Sequence, residues 1–179
     1  MTRAFIGVGS NIGPEDNIRE ALLRLAQSTN LVSISTFYRE PAIGHPEEPE
    51  FYNGVVAIDT DLPPATLKWQ VLRPIEAALG RQRGPDRYAS RTIDLDLLLY
   101  GDSALSSGEL ILPDPDIRKR PFIAIPLYEI APALMLPDVR VPIRQVADQF
   151  TAQSMQPMDD YTQRLRKELL TDKSGKEIA

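Results

Sequence analysis

The chain has 179 residues, of which 42% are hydrophobic, which fits one globular domain with a single core and a short appendage. Its formal net charge of -5 argues against a general nucleic-acid or membrane-surface binder, because such proteins present a broad basic face. The lack of cysteine excludes disulfide frameworks, thiolate zinc sites and thiol nucleophiles. We expect a cytoplasmic protein, since no charged-then-apolar leader and no bilayer-length apolar stretch are present.

In the first third of the chain, periodicity predicts three strands and one helix. The first strand covers residues 4–8 and is followed by a glycine-bearing loop. The second and third strands, residues 32–39 and 51–60, carry Val, Ile, Phe and Tyr at period two, and the proline-rich, acidic segment 40–50 between them predicts a mobile loop. The helix starts at Pro14 and its apolar positions share one face: Ile18, Ala21, Leu22 and Leu25.

Later segments complete an α+β pattern. A second helix is predicted over residues 64–79, closed by Gly80 and kinked or split at Pro74. An arginine-rich loop then leads to the strand "RTIDLDLLLY", and residues 116–150 predict short helices mixed with prolines. The order strand, helix, strand, strand, helix, strand predicts a ferredoxin-like βαββαβ core, with an antiparallel sheet and helices packed mainly on one face.

We place a boundary after residue 150, so that residues 1–150 form the functional domain and residues 151–179 form a polar tail. Within the tail, Tyr161, Leu165 and Leu169 recur at helical spacing. We interpret this segment as a solvated or frayed helix; the alternative is an element for packing or dimerisation.

Two aspartates interrupt the apolar run "RTIDLDLLLY". Side chains alternate faces along a strand, so Asp94 and Asp96 point the same way, with Cα atoms roughly 6 to 7 Å apart. Adjacent unpaired carboxylates repel and cannot be buried cheaply, which predicts hard divalent cations bound between them. The opposite face of the strand carries only apolar residues: Ile93, Leu95 and Leu97.

The loop before this strand, "GRQRGPDRYASR", reverses the acidic balance of the chain. Its basic residues, read alone, fit a solvated loop whose arginines pair with surface acids. Their position beside the acid pair favours phosphoryl or nucleotidyl transfer, in which arginine forks and bridging magnesium neutralise developing charge. No P-loop motif is present, and the glycines of "GVGSNIG" do not match the dinucleotide fingerprint. Four arginines contribute: Arg81, Arg83, Arg87 and Arg91.

Aromatic residues and one amide suggest a site for a flat ring. Phe51 and Phe122 fit ordinary core positions equally well. Asn53, two residues after Phe51 on the same strand face, offers a paired donor and acceptor to a heterocycle. His45, the single histidine of the chain, lies in the acidic loop, and we assign it no catalytic task.

These stretches resemble the 6-hydroxymethyl-7,8-dihydropterin pyrophosphokinase family of folate biosynthesis. The matching segments are "GSNIG", "FYREP", "FYNGVVAIDT", "RTIDLDLLLYG" and "RPFIAIPLYEIAP", so the resemblance covers residues 2–150. It implies a pyrophosphokinase domain, a magnesium-dependent transferase that moves pyrophosphate from ATP to the hydroxymethyl group of the pterin and releases AMP. It implies small-molecule substrates, no nucleic-acid or membrane partner, and a monomer or homodimer.

The resemblance also implies roles for individual residues. Asp94 and Asp96 would hold two Mg²⁺ ions and, with Arg81 and Arg91, form the catalytic set. The implied ATP-binding residues, with ATP as co-substrate, are Glu76, Arg81, Arg83, Arg91, Leu97, Ile111 and Arg120. The implied pterin-binding residues, to which we add Glu40, are Pro41, Ile43, Gly44, Phe51, Asn53 and Phe122.

Glu40 lies where relatives often have threonine. A carboxylate there would pair with the amino and ring N–H groups of the pterin, which together resemble a guanidine. A solvated glutamate at a strand end is the interpretation we favour, because glutamate is usually exposed.

Other departures from the family pattern fall on the nucleotide side. Asp114 and Pro115 stand where the family usually has a histidine and its neighbour, and an acid there would repel a triphosphate. Tyr88, Gly84 and Glu109 also replace a tryptophan and basic residues. We therefore expect an active enzyme with a weaker grip on ATP. The alternatives are a related transferase with another nucleotide or pterin preference, and a non-catalytic pterin-binding relative, for which loss of the metal-binding acids would be expected.

Overall fold

The computed structural model describes residues 1–151 and 154–170 of the chain. None of the helices in these residues is long and apolar enough to cross a bilayer. The elements, in chain order, are β1 (Thr2–Ser10), α1 (Pro14–Ser28), β2 (Asn30–Ile34), β3 (Tyr38–Glu40), β4 (Phe51–Thr60), α2 (Pro64–Thr66), a π-helical segment (Leu67–Leu72), α3 (Arg73–Ala78), β5 (Asp94–Tyr100), β6 (Leu105–Ser107), β7 (Leu110–Leu112), a 3₁₀ helix (Pro115–Arg118), α4 (Pro121–Ile130), β8 (Met135–Leu136), β9 (Val141–Pro142), α5 (Ile143–Ala147), β10 (Gln156–Pro157) and α6 (Asp159–Leu169).

A six-stranded antiparallel sheet forms the centre of the molecule. Its strand order is β10-β3-β4-β1-β5, and β2 also pairs with β4. Two small hairpins, β6-β7 and β8-β9, lie outside it. The predicted mixture of helices with an antiparallel sheet is confirmed, and β1 lies between the two strands that carry Asn53 and the acid pair.

Helices cover both faces of the sheet. The predicted apolar face of α1 is fully buried and packs with the π-helical segment and α3 against one sheet face. On the other face, α4 and α5 pack against a second cluster that includes Val55 and Leu98. The first two helical regions share one face as expected, but the prediction of helices mainly on one face is corrected by α4 and α5, which residues 116–150 supply as the cover of the other face.

Two predicted elements differ in detail. The predicted second strand is divided, because β2 ends at Ile34 and β3 begins at Tyr38. Pro74 does not split the second helix, because Leu72 and Arg73 before it keep helical backbone angles and the helical backbone continues from the π-helical segment into α3. The irregularity instead takes the form of the π-helical turn directly before α3.

The tail helix packs into the core. Tyr161 and Leu165 of α6 are 5% and 2% exposed, and they belong to the same apolar cluster as α1. The Thr162 hydroxyl accepts a hydrogen bond of 2.9 Å from the Phe37 N–H. The interpretation of a solvated or frayed helix is therefore wrong, and the packing alternative is confirmed. Residues 152–153 and 171–179 lie outside the described residues, and a domain boundary after residue 150 stays a prediction.

Removal of the Leu165 side chain tests this packing. Leu165→Ala should lower the free energy of unfolding by about 2–4 kcal/mol, because it leaves a cavity between α6 and α1. Urea denaturation measures the change. Gln163→Ala is the matched control, since Gln163 is exposed on the same helix. Equal effects of the two substitutions would contradict the buried position of α6.

Candidate active site

The floor of the main cleft is a row of glycines on β1. Gly9 pairs with Asn53 on β4 and with Asp94 on β5, and Gly7 pairs with Asp96 in the next row. Directly paired residues share a sheet face, so the amide and both carboxylates project to one side. A Cβ atom at Gly9 would lie 2.6 Å from Asn53 Oδ1, so glycine is needed for the close approach of that amide.

Arginines surround the Asp94 carboxylate. Arg91 Nη1 donates to Asp94 Oδ2 at 2.7 Å, and Arg81 Nε and Arg83 Nη2 lie 3.8 and 4.0 Å from Oδ1. The Asp94 side chain is only 19% exposed, so these cations offset a charge that is largely withdrawn from water. The predicted adjacency of arginine loop and acid pair is therefore present in the structure.

Asp96 is less well compensated than Asp94. Its closest cation is Arg73, with Nη2 3.8 Å from Oδ1. The side chain keeps 47% of its surface open to the cleft, but protein atoms crowd it from the cleft walls. This burial, followed by the charge of Asp94, raises the pKa of Asp96 above the usual aspartate value. Both effects favour binding of a cation at this carboxylate.

Behind the acid pair, Glu76 orders the arginines. It is 1% exposed and accepts hydrogen bonds from Arg73, Arg83 and the Leu95 N–H at 2.6 to 2.8 Å. Arg81, in contrast, keeps a buried Nε without a hydrogen-bond partner in the described part of the chain. A buried donor of this kind is suited to an anion that enters the cleft.

Next to the acids, an aromatic cavity of about 160 Å³ opens into the same cleft. The sequence did not indicate several of its lining residues, among them Gly7, Gly9 and Asp116. Tyr88, noted only as a departure from the family, also lines it. Ten residues of the predicted site line this cavity: Glu40, Pro41, Ile43, Phe51, Asn53, Arg91, Asp94, Asp96, Arg120 and Phe122.

Glu40 is buried inside this cavity, with 7% of its surface exposed. Asn53 Nδ2 donates to its Oε1 at 2.6 Å. Burial raises the pKa of Glu40 to about 7, against the opposing effects of the Asn53 hydrogen bond and the Arg120 charge. The interpretation of a solvated strand-end glutamate is therefore wrong, because pairing of β3 with β4 sets Glu40 opposite Phe51.

Two loops frame the cavity and are tied together. His45 Nε2 lies 2.9 Å from Asp86 Oδ2, and the Ser90 hydroxyl donates to Glu48 at 2.6 Å. His45 thus joins the acidic loop to the arginine loop and does not line the cavity. Gly44 lies against the Tyr88 ring at this junction.

Other predicted residues lie away from the cavity. Leu97 is 5% exposed and packs in the core on the opposite face of β5, so its side chain does not reach the cleft. Ile111 on β7 is 48% exposed and outside the cavity lining. Arg73 on α3, which contacts both Glu76 and Asp96, was missed. The sequence does indicate this contact, because Arg73 precedes Glu76 by three residues and side chains at that spacing are neighbours on a helix.

An acid pair, clustered arginines and an adjoining aromatic cavity on an α+β fold define a protein of the phosphoryl-transfer class. A family model described as 7,8-dihydro-6-hydroxymethylpterin-pyrophosphokinase (HPPK) matches residues 5–132. This chain belongs to the HPPK family.

Individual relatives agree with this family. A 2-amino-4-hydroxy-6-hydroxymethyldihydropteridine pyrophosphokinase of Haemophilus influenzae is 37% identical over 158 residues, which cover 87% of this chain and 97% of the relative. The protein of that name from Methylorubrum extorquens is 41% identical over 139 residues, covering 76% of this chain and 87% of the relative.

Among solved structures, a Plasmodium falciparum HPPK-DHPS superposes with a TM-score of 0.62 at 14% identity, a likeness of fold alone. The match covers 86% of this chain and 44% of that one, so this chain spans under half of the HPPK-DHPS length.

The buried state of Glu40 predicts a stability that depends on pH. Its pKa of about 7 in the folded protein exceeds the ordinary glutamate value of 4.5, so the folded state binds more protons between these pH values. The contribution of Glu40 to the free energy of unfolding therefore falls as the pH rises through this window. Glu40→Gln should raise the free energy of unfolding at pH 8 by up to about 3 kcal/mol, with no gain near pH 4.

Urea denaturation at the two pH values measures this difference. Glu109→Gln is the control, because Glu109 is exposed. A gain for Glu40→Gln that is the same at pH 4 and pH 8 would show that ionisation of Glu40 does not oppose folding.

Proposed function

We propose that this chain transfers a pyrophosphoryl group from ATP to the hydroxymethyl group of 6-hydroxymethyl-7,8-dihydropterin, releasing AMP, as a step of folate biosynthesis. One observation carries the proposal. Asp94 and Asp96 project from the same sheet face as Asn53, so the acid pair and the aromatic cavity open into one cleft. The names of the curated relatives support the same activity.

The acid pair fits two Mg²⁺ ions held jointly with the nucleotide. Magnesium is usually bound through one or two carboxylates together with substrate phosphates and water. The described residues contain no cluster of three or more His, Cys, Asp or Glu side chains that would hold a metal without the substrate. When bound, Mg²⁺ neutralises phosphate charge and favours ionisation of the hydroxyl that attacks.

Arginines of the cleft bind the phosphates in this proposal. Arg81, Arg83 and Arg91 face Asp94, and they would bind phosphate oxygens in its place once a bound cation offsets the charge of that acid. Arg91 also lies over the Phe51 ring, with its Cζ 5.4 Å from the ring centroid. The guanidinium therefore connects the phosphate side of the cleft with the aromatic side, which helps to align the two substrates.

The pterin occupies the aromatic cavity between Phe51 and Phe122, with Asn53 at its edge and the loop residues Pro41 and Ile43 beside it. Gly44, which lies against the Tyr88 ring, would border it. On the nucleotide side, the proposed contacts are Ile111 and the arginines, including Arg120. Glu76 would act there by orienting Arg73 and Arg83, since it is 1% exposed. Leu97 would take part only through its backbone, because its side chain is buried in the core.

The fold type, cellular location and assembly of the enzyme belong to the same proposal. The sheet order β5-β1-β4 followed by β2 and β3 supports a ferredoxin-like core. We place the protein in the cytoplasm, as a monomer or homodimer that acts on small molecules without a nucleic-acid or membrane partner.

One observation keeps a second function open, a related transferase with another nucleotide preference. Asp114 lies at the start of the 3₁₀ helix, where its carboxylate accepts a hydrogen bond of 2.8 Å from the Asp116 N–H. Burial raises the pKa of this carboxyl group. An acid fixed at this position by its capping role is unfavourable for a nearby triphosphate.

Neutralising either acid tests the main proposal. Wild-type protein should form AMP from ATP and magnesium only when hydroxymethyl-dihydropterin is added. Asp94→Asn and Asp96→Asn should each lower this rate by at least about 100-fold, since electrostatic stabilisation of the transferred group is lost. Asp102→Asn, at an exposed position, should retain the rate. Full turnover by both acid variants would rule out the proposed chemistry.

Asp114 provides a separate test of nucleotide affinity. Asp114→Asn keeps an oxygen for the Asp116 cap but removes the charge, and Asp114→His restores the residue usual in the family. Both should lower the ATP Michaelis constant several-fold, because they relieve about 1 kcal/mol of electrostatic repulsion between Asp114 and the triphosphate. Steady-state kinetics with ATP and GTP measure the effect. Unchanged constants for ATP in both variants would refute a weakened grip caused by this acid.

A further inference from the structure

Glu40 is a buried acid without a close cation. Within the described part of the chain, its carboxylate forms one hydrogen bond, the one from Asn53, and no ion pair within 4 Å. Arg120 acts on it only at longer range. A buried carboxylate with only one hydrogen-bonded oxygen is destabilising. Glu40 lines the aromatic cavity, so a ligand in that cavity can reach its second oxygen.

The Asn53 amide is fixed by this contact. Its Nδ2 faces Glu40 Oε1, and the reverse orientation would place the amide oxygen against the carboxylate. Asn53 Oδ1 therefore lies over β1, where the absence of a side chain at Gly9 leaves room for it. Glu40 and Asn53 together present acceptor oxygens toward the cavity.

The walls of the cavity define the shape of its ligand. Phe51 and Phe122 line it together with Glu40 and Asn53, so a flat ring that lies against the aromatic residues has its edge near the two acceptors. A ring edge with two neighbouring N–H donors satisfies them, as a guanidinium does for a carboxylate. A ring edge with a carbonyl oxygen at that position would face another acceptor.

We infer that Glu40 is a specificity-determining residue and that, with the Asn53 oxygen beside it, it accepts hydrogen bonds from the 2-amino and adjacent ring N–H groups of a 2-amino-4-oxopyrimidine ring. The inference rests on the proposed function, because it assigns the edge of the pterin that this site recognises. Binding of the ligand then offsets the cost of burying the acid. The pocket thereby rejects a ring that carries oxygen in place of the amino group.

The test compares 6-hydroxymethyl-7,8-dihydropterin with its 2-oxo counterpart, 6-hydroxymethyl-7,8-dihydrolumazine. Wild-type protein should prefer the 2-amino compound by at least about 100-fold in kcat/KM, since the wrong edge leaves buried polar groups unpaired. Glu40→Gln keeps the size of the side chain but adds an amide donor, which can pair with the 2-oxo group. It should reduce the preference by at least about 10-fold, through KM more than kcat.

Two controls separate specific recognition from a structural role. Glu20→Gln changes an acid on α1 that pairs with Arg24, outside the cavity, and should leave the preference unchanged. The ATP Michaelis constant of Glu40→Gln should also remain at the wild-type value. Glu40→Thr removes the carboxylate with a smaller side chain and serves as the second variant if the glutamine variant does not fold.

The outcomes also separate this inference from the proposed function. If wild-type protein forms no AMP with the pterin, the proposed function fails. If wild-type protein is active and the folded Glu40 variants keep its preference for the 2-amino ring, the inference alone is overturned. A preference that collapses in the Glu40 variants but persists in Glu20→Gln supports it.

Discussion

The repulsion between Asp94 and Asp96 is the constraint on which the rest of the site depends. Both carboxylates project from β5 on one sheet face, and the register of β5 with β1 places only glycines beside them. Their charges must be offset inside the protein or by ions. The arginine loop and Arg73 meet part of this need, so the arginine loop is already held at the cleft. Glu76 is essential to this arrangement, because it orients Arg73 and Arg83 from the side opposite the cleft.

The sequence was sufficient to predict features that depend on local periodicity. Alternation placed Asp94 and Asp96 together and Leu95 in the core, and helical spacing identified the buried face of α1. Adjacency along the chain was enough to bring Arg91 to Asp94, three residues apart. Each of these contacts lies within one element or between an element and the loop that enters it. Side-chain direction along strands and helices therefore determines them before any long-range packing is known.

Features that depend on register between distant segments could not be predicted. Glu40 ends a strand of three residues, and its burial follows from pairing with Phe51 across a ten-residue loop. The burial of α6 depends on how Tyr161 and Leu165 meet α1, over 130 residues earlier in the chain. Both segments are polar in composition. Whether one acid or a single apolar stripe within such a segment is buried depends on the residues that pack against it. For Leu97, local alternation was the better guide. The family resemblance assigned Leu97 to ATP binding, but alternation along β5 directs its side chain into the core.

Two acids of the cleft, Glu40 and Asp96, have raised pKa values because burial disfavours their charged forms. Neither has a cation within hydrogen-bond distance, whereas Asp94 and Glu76 each do. Glu76 lies behind the cleft and Asp94 is held by Arg91, whereas Glu40 and Asp96 line the cavity without such a partner. A chain that only needed to fold would gain stability from neutral residues at both positions. Their uncompensated charges are explained if a donor-bearing ring at Glu40 and a metal-bound phosphate at Asp96 supply the missing partners, which makes substrate binding the step that completes the electrostatics of the site.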